Sequence, residues 1–160
     1  MDIVSADLEN AILAGDGIFQ SDVKLSVVKM DNMTMLQSFM FNNCRKLSSI
    51  SFDKNKITSH GIDVFGSYYY EEEIAPYAKT VKYLDFPNLT GSNSVYKFSC
   101  YRNLISASLP RMTSIREGDF AYLPNFVSVY MPNCTLIESG AFRESGIEEF
   151  YVPRSVLSIE

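Results

Sequence analysis

Six phenylalanines, Phe19, Phe41, Phe65, Phe98, Phe120 and Phe142, recur at intervals of 22, 24, 33, 22 and 22 residues. A near-constant period in this range belongs to solenoids, in which each supersecondary unit buries its apolar edge only against its neighbours. The period constrains the fold far more than the function, because such a scaffold does not specify its ligand.

The units are legible one by one. Ile3–Phe19 and Phe126–Phe142 align without a gap, with Ser5 on Ser128, Asn10 on Asn133, Gly17 on Gly140 and Phe19 on Phe142. Each unit opens with a short apolar run whose last two apolar positions are two apart, the period of a strand. Examples are Leu25/Val28/Met30, Leu104/Ala107/Leu109 and Ile147/Phe150/Val152. A breaker follows the run: Pro87, Pro110, Pro132 and Pro153 in later units, Asp31 and Asp53 in earlier ones. Proline cannot donate to a sheet ladder, so it ends the strand. A return leg of the form T-x-I-x-x-G-x-F completes the unit, as in Thr113/Ile115/Gly118/Phe120 and Thr135/Ile137/Gly140/Phe142. The glycine two residues before phenylalanine is expected to take a positive φ or to permit close approach of the chain.

The interval from phenylalanine to the next strand is six residues in most units, five after Phe142 and sixteen after Phe65. The surplus, Ser67–Pro76, reads as a loop pushed out of the stack, since insertions in solenoids go into loops on one face.

The composite pattern L-x-x-I-x-L-P-x-x-x-T-x-I-x-x-x-A-F-x-x-C-x-x-L is carried best by residues 107–126, 129–142 and 41–52. It resembles the BspA-like (treponemal-type) leucine-rich repeat, and the resemblance covers essentially the whole chain. The family cysteine three residues after phenylalanine survives only as Cys44, with Tyr101, Leu123 and Ser145 elsewhere, and the A-F pair is complete only at Ala141-Phe142. The resemblance implies an α/β leucine-rich-repeat solenoid: a right-handed superhelix with a parallel β-sheet on one face, short extended or 3₁₀ legs on the other and little regular helix. It also implies a bacterial protein of the cell surface or extracellular space, with adhesion as its usual theme.

The 160 residues make one expected domain, 1–160, of about seven units. Both ends lack the polar capping unit that solenoids normally carry, so the chain reads as a slice of a longer protein. A net charge of −5 with 14 scattered Lys and Arg argues against nucleic-acid partners. No apolar run approaches the roughly 18 residues of a membrane span, so membrane insertion is not expected. Oligomeric state is left open.

Cys44, Cys100 and Cys134 are odd in number and occupy different repeat positions, so they read as buried free thiols. His60, the only histidine, reads as a surface-loop residue of a return leg. A lone histidine without paired His/Cys spacing argues against a zinc site and against a Cys–His nucleophile. No cofactor is expected. Three N-x-T triplets, at Asn32, Asn88 and Asn133, share one repeat position and read as turn structure rather than glycan acceptors.

Two features remain for recognition. The inserted run Tyr68-Tyr69-Tyr70 followed by three glutamates offers contact area with polar tips. The outward strand positions form two columns, mostly small and hydroxylated, interrupted by Tyr83 and Asp85 beside the insertion and by the aromatic step of Tyr130 and Tyr151. Aromatic rings among acids and hydroxyls suit a sugar ring or an extended peptide. The expected function is therefore a non-enzymatic interaction module that recognises a protein or glycan. The alternative is a structural spacer or display repeat, including a phage or virion attachment part.

Overall fold

The computed structural model describes residues 3–67, 69–90 and 96–160. Its strand face consists of β1 (Ser5–Asp7), β2 (Val27–Lys29), β4 (Ser49–Ser51), β6 (Tyr83–Asp85), β7 (Ser106–Ser108) and β9 (Ser128–Tyr130). All pair in parallel, with Ser5 opposite Val27, Val27 opposite Ser49, and Ser106 opposite Ser128. The return legs pair as well, through β3 (Met35–Leu36) with β5 (Ser59–His60), and β8 (Ser114–Ile115), β10 (Leu136–Ile137) and β11 (Ser158–Ile159). The chain is thus a β-solenoid of about seven turns with almost no helix.

Each turn closes on local chemistry. The breaker residue sits second in a tight turn whose fourth N–H returns to the first carbonyl, as from Met33 to Met30 (3.0 Å), Met112 to Leu109 and Cys134 to Met131 (both 3.1 Å). Proline suits that second position because its φ is already set. Threonine then fastens each turn to the one before: Thr58 Oγ1 donates to the Thr34 carbonyl (3.2 Å), Thr90 Oγ1 to Thr58 (3.3 Å) and Thr135 Oγ1 to Thr113 (3.0 Å). The asparagines of the N-x-T triplets do the same. The side-chain amide of Asn32 donates to the Glu9 carbonyl, that of Asn88 to Asn55 (2.7 Å) and that of Asn133 to Pro110 (2.8 Å).

The phenylalanines form the spine. Phe19, Phe41 and Phe65 stack at 5.7 and 5.5 Å, and Phe98, Phe120 and Phe142 at 5.1 and 5.7 Å. The position two residues before each adopts a positive φ: 59°, 67° and 69° at Gly17, Gly118 and Gly140, but also 58° at Phe39, 48° at Asp63 and 53° at Tyr96. The glycine expectation therefore holds, and three turns meet the same backbone demand without glycine.

The structure departs from the sequence reading at two places. Residues 147–152 form no strand, although their apolar spacing predicts one. The corner before them is one residue shorter, and Gly146 is drawn so close to the preceding turn that a Cβ there would lie 2.2 Å from the Pro124 carbonyl oxygen. Only the start of the Ser67–Pro76 excursion leaves the stack. Glu71–Glu73 form a 3₁₀ turn, Ile74 and Ala75 are buried, and helix α1 (Pro76–Thr80) follows at once.

Asp63 carries both a left-handed backbone and a buried, unpartnered Oδ1. Relief of the left-handed penalty of ~1–2 kcal/mol outweighs glycine's entropic cost of ~0.5–1 kcal/mol. Asp63→Gly is therefore expected to stabilise the protein at pH 7 by about 1 kcal/mol, read as a higher urea midpoint. Gly118→Ala should do the reverse by more, because its Cβ would lie 2.0 Å from the Tyr96 ring. A lower midpoint for Asp63→Gly would contradict this account of the turn.

Candidate functional site

The strand ladder and the phenylalanine stack are interrupted at one place. The strand face divides into β1-β2-β4 and β6-β7-β9, and among the described residues no backbone hydrogen bond joins β4 to β6. Phe65 turns to Tyr77 (5.4 Å) and Tyr101 (5.6 Å), while Phe98 meets His60 (5.2 Å). At the return face, by contrast, the turns on either side stay joined, with the Thr90 N–H on the Thr58 carbonyl at 3.2 Å. The turns on either side of the insertion are therefore joined at the back and open at the front.

The wedge is α1. Proline begins it, where no helical N–H is needed. The Tyr77 N–H takes the Leu47 carbonyl (2.8 Å), and the Asn103 side chain holds the Lys79 carbonyl (2.7 Å), which fixes the helix between the third and fourth turns.

In front of this junction lies a cleft of about 760 Å³. Its apolar lining comes from Ile50, Phe52, Val81, Leu84 and Phe86, with Tyr101 below. Its polar lining comes from Ser51, Lys54, Tyr77, Thr80, Lys82, Tyr83 and Asp85. Lys54 and Asp85 form an ion pair across it, each about half exposed. Phe52 and Phe86 stack at 6.1 Å and hold that end closed.

The sequence-predicted residues fall at three places. Tyr83 and Asp85 line the cleft, and Tyr83 is 67% exposed. Tyr130 and Tyr151 line a second hollow of about 320 Å³ with Pro132, Pro153 and Arg154. Tyr69 and Tyr70 are exposed on the insertion, and Tyr68 lies outside the described residues. Asp85, Ser108 and Tyr130 occupy one column of adjacent strands, so the two hollows open on the same face about 10 Å apart at normal strand spacing.

His60 corrects the sequence reading. It is fully buried, not on a surface loop. Its Nδ1–H donates to the Gly61 carbonyl (2.8 Å), and its Nε2 accepts from the Tyr101 hydroxyl (2.9 Å). The signal was present, since Thr58-Ser59-His60 repeats T-x-I with histidine at the core position of Leu36, Ile115 and Ile137. Tyr101 in turn holds the buried place that Cys44 and Leu123 fill elsewhere. Lys54, Tyr77 and Thr80 were also missed: only three-dimensional packing brings Lys54 to β6, and only helix α1 sets Tyr77 and Thr80 on the cleft wall.

Burial dominates the chemistry of the interior. It pushes the Cys44 thiol up to about 11 and Cys100 to about 12, and raises Cys134. All three are free and buried, and a protonated, buried thiol is a poor nucleophile. Lys97 and Asp119 pair at 3.0 Å with both side chains buried. Burial lowers the lysine and raises the aspartate, and each partner opposes that shift in the other. Among the described residues, no group of three His, Cys, Asp or Glu side chains could hold a metal ion, and no helix is long and apolar enough to cross a membrane.

A profile of the BspA-type leucine-rich repeat region matches the chain in six copies, over residues 6–77 and 73–160. Among solved structures the chain is similar to a leucine-rich cell surface protein from Faecalibacterium prausnitzii, at 19% identity and TM-score 0.66 over 99% of this chain and 44% of that one. It is also similar to a leucine-rich repeat protein from Bacteroides ovatus, at 19% identity and TM-score 0.71 over 98% of this chain and 47% of that one. The chain thus spans less than half of each, and at this identity the likeness speaks for the fold alone. No curated protein matches the sequence.

His60 and Asp63 oppose each other in acid. Burial lowers His60 from 6.5 to about 4, so the unfolded chain takes the proton first and stability falls as pH drops from 6.5 to 4. Burial raises Asp63 from 3.8 to about 6, so the folded state takes the proton first and stability rises as pH drops from 6 to 3.8. Relative to wild type, His60→Leu should gain about 3 kcal/mol between pH 6.5 and 4, on top of a constant cost from the orphaned Tyr101 hydroxyl. Asp63→Gly should move the opposite way. Urea midpoints across that range check both, and a pH-independent difference for His60→Leu would refute its burial as a neutral ring.

Proposed function

The chain belongs to the BspA-type leucine-rich repeat family, and on that premise we propose that it is a non-enzymatic interaction module of a bacterial cell surface or the extracellular space. It recognises a protein or a glycan through its exposed strand face. One observation carries this reading: the insertion opens a cleft of about 760 Å³ on that face, and the cleft gathers Tyr83, Asp85, Lys54, Tyr77 and Thr80 over an apolar floor. Most ligand sites are concave and mainly apolar, with a few convergent polar groups that set orientation. Tyr130 and Tyr151 extend the same face, and the exposed Tyr69 and Tyr70 stand on the insertion that shapes it. Inserted loops on a rigid scaffold are where recognition residues concentrate. Surface location is supported by the likeness to the Faecalibacterium protein, a leucine-rich cell surface protein. A non-enzymatic role fits an interior whose thiols and histidine are buried and protonated or neutral.

The test is binding of the purified protein to a panel of glycans and extracellular-matrix proteins. Saturable binding is expected, and it should drop at least tenfold in a Tyr83→Ala/Asp85→Ala variant. A second variant, Tyr69→Ser/Tyr70→Ser, replaces exposed side chains only and reports the part played by the insertion without removing Ile74 or Ala75 from the core. Binding that survives in both variants would rule out this face. A folded protein that binds nothing would favour the spacer role.

A further inference from the structure

The cleft is bounded by two strand edges, and their backbone groups can be assigned. In a parallel ladder, alternate residues of a strand direct both N–H and C=O to the same neighbour. The Ser49 N–H bonds the Ser26 carbonyl (3.2 Å) and the Ser51 carbonyl accepts from Met30 (2.8 Å), so these residues of β4 face β2. The Ile50 N–H and C=O and the Phe52 N–H therefore face the cleft. On β6, Lys82 accepts from Ile105 (2.8 Å) and Phe86 donates to Ser108 (3.1 Å), so residues 82, 84 and 86 serve β7. The N–H and C=O groups of Tyr83 and Asp85 are left facing β4 across the opening. Among the described residues none of these cleft-facing groups has a backbone partner, although the equivalent groups at the other strand junctions are paired.

We infer that the cleft takes an extended segment of polypeptide, held by strand addition to the facing edges of β4 and β6. This rests on the reading of the cleft as the recognition surface, and it selects the peptide from the two ligand classes considered there. Donors and acceptors repeated at strand spacing along two parallel edges are complementary to another backbone. In such recognition, main-chain bonds supply affinity and side-chain pockets supply specificity. The alternation of a bound strand would direct every second side chain to the apolar floor of Ile50 and Leu84 and the others outward past Tyr83. The Lys54–Asp85 pair lies across the mouth, and a half-exposed ion pair is worth only about 0–1 kcal/mol. Its opening is therefore a small obstacle to entry, whereas Phe52 and Phe86 keep the far end shut.

The experiment uses a displayed library of linear twelve-residue random peptides panned against the intact protein, with binders remade as free peptides. Amide hydrogen exchange is then followed with and without peptide. Ile50, Phe52, Tyr83 and Asp85 should exchange fast in the free protein and become protected on binding, while Leu84 and Phe86 are protected throughout. A strand held between two edges directs successive N–H groups to β4 and β6 in turn, so single backbone N-methylation should weaken binding at least tenfold at each central peptide residue. The inference is overturned if no peptide is selected, if binders leave the four amides unprotected, or if N-methylation has no effect. A glycan that binds with loss in Tyr83→Ala/Asp85→Ala overturns the strand ligand while the wider recognition reading stands.

Discussion

Every turn of this solenoid must present the same backbone groups to the next at one fixed offset, and the rest of the structure follows from that hydrogen-bond ladder. Register is 22 residues along β1, β2 and β4, and again from β7 to β9. Once the ladder fixes the stacking, side chains at equivalent positions form columns. Phenylalanine rings then stack, threonine hydroxyls reach the carbonyl behind, and the turn before each phenylalanine needs a left-handed residue. A 160-residue chain with three-residue strands has little to gain from any single strand. Its cooperation comes from repetition, since each column buries a continuous strip of apolar surface.

The insertion tests this arrangement by lengthening one turn. The back of the solenoid keeps its ladder through Thr58 and Thr90, while the front opens between β4 and β6. The phenylalanine spine breaks at the same level, and Tyr77, Tyr101 and His60 fill the gap between Phe65 and Phe98. A fully regular array would offer a plain hydroxylated sheet. The irregular turn gives the strand face a concave feature and leaves two edges with unspent hydrogen-bonding capacity. Irregularity and candidate function thus share one cause.

The period, the breakers, the glycine turns and the strand positions other than 147–152 were legible in the sequence, because each depends on residue type at a repeated position. The 33-residue interval even marked where the array changes. Its consequence was not legible, since a length surplus does not say whether residues leave the stack or wedge it apart. Ile74 and Ala75 are buried where the spacing alone suggested a free loop. His60 was misplaced because histidine type was weighed above its register after Thr58. Asp63, Phe39 and Tyr96 hid a left-handed turn behind side chains that do not advertise one. Tyr83 and Asp85 stood out as interruptions of a serine column, but their neighbour Lys54 comes from a distant segment that only the junction brings to them.

The buried polar pairs show how a degenerate repeat keeps one stacking order. Lys97 and Asp119 hold the same core position, one before the phenylalanine, in successive turns, where others carry Met40, Val64 and Ala141. His60 and Tyr101 likewise replace apolar residues in neighbouring turns and hydrogen-bond to each other. Against well-packed apolar residues such pairs add little net stability, because desolvation consumes the attraction. A stack displaced by one turn, however, would set Asp119 against Val64 or Ala141 and His60 against a residue with no hydroxyl to donate. Each buried group left without its partner costs about 1–3 kcal/mol, and more when charged. The penalty falls on the wrong order alone, and both pairs bind the fourth turn to a neighbour: His60–Tyr101 crosses the junction where the insertion has removed the strand ladder, and Lys97–Asp119 the next one, where β6 and β7 still pair.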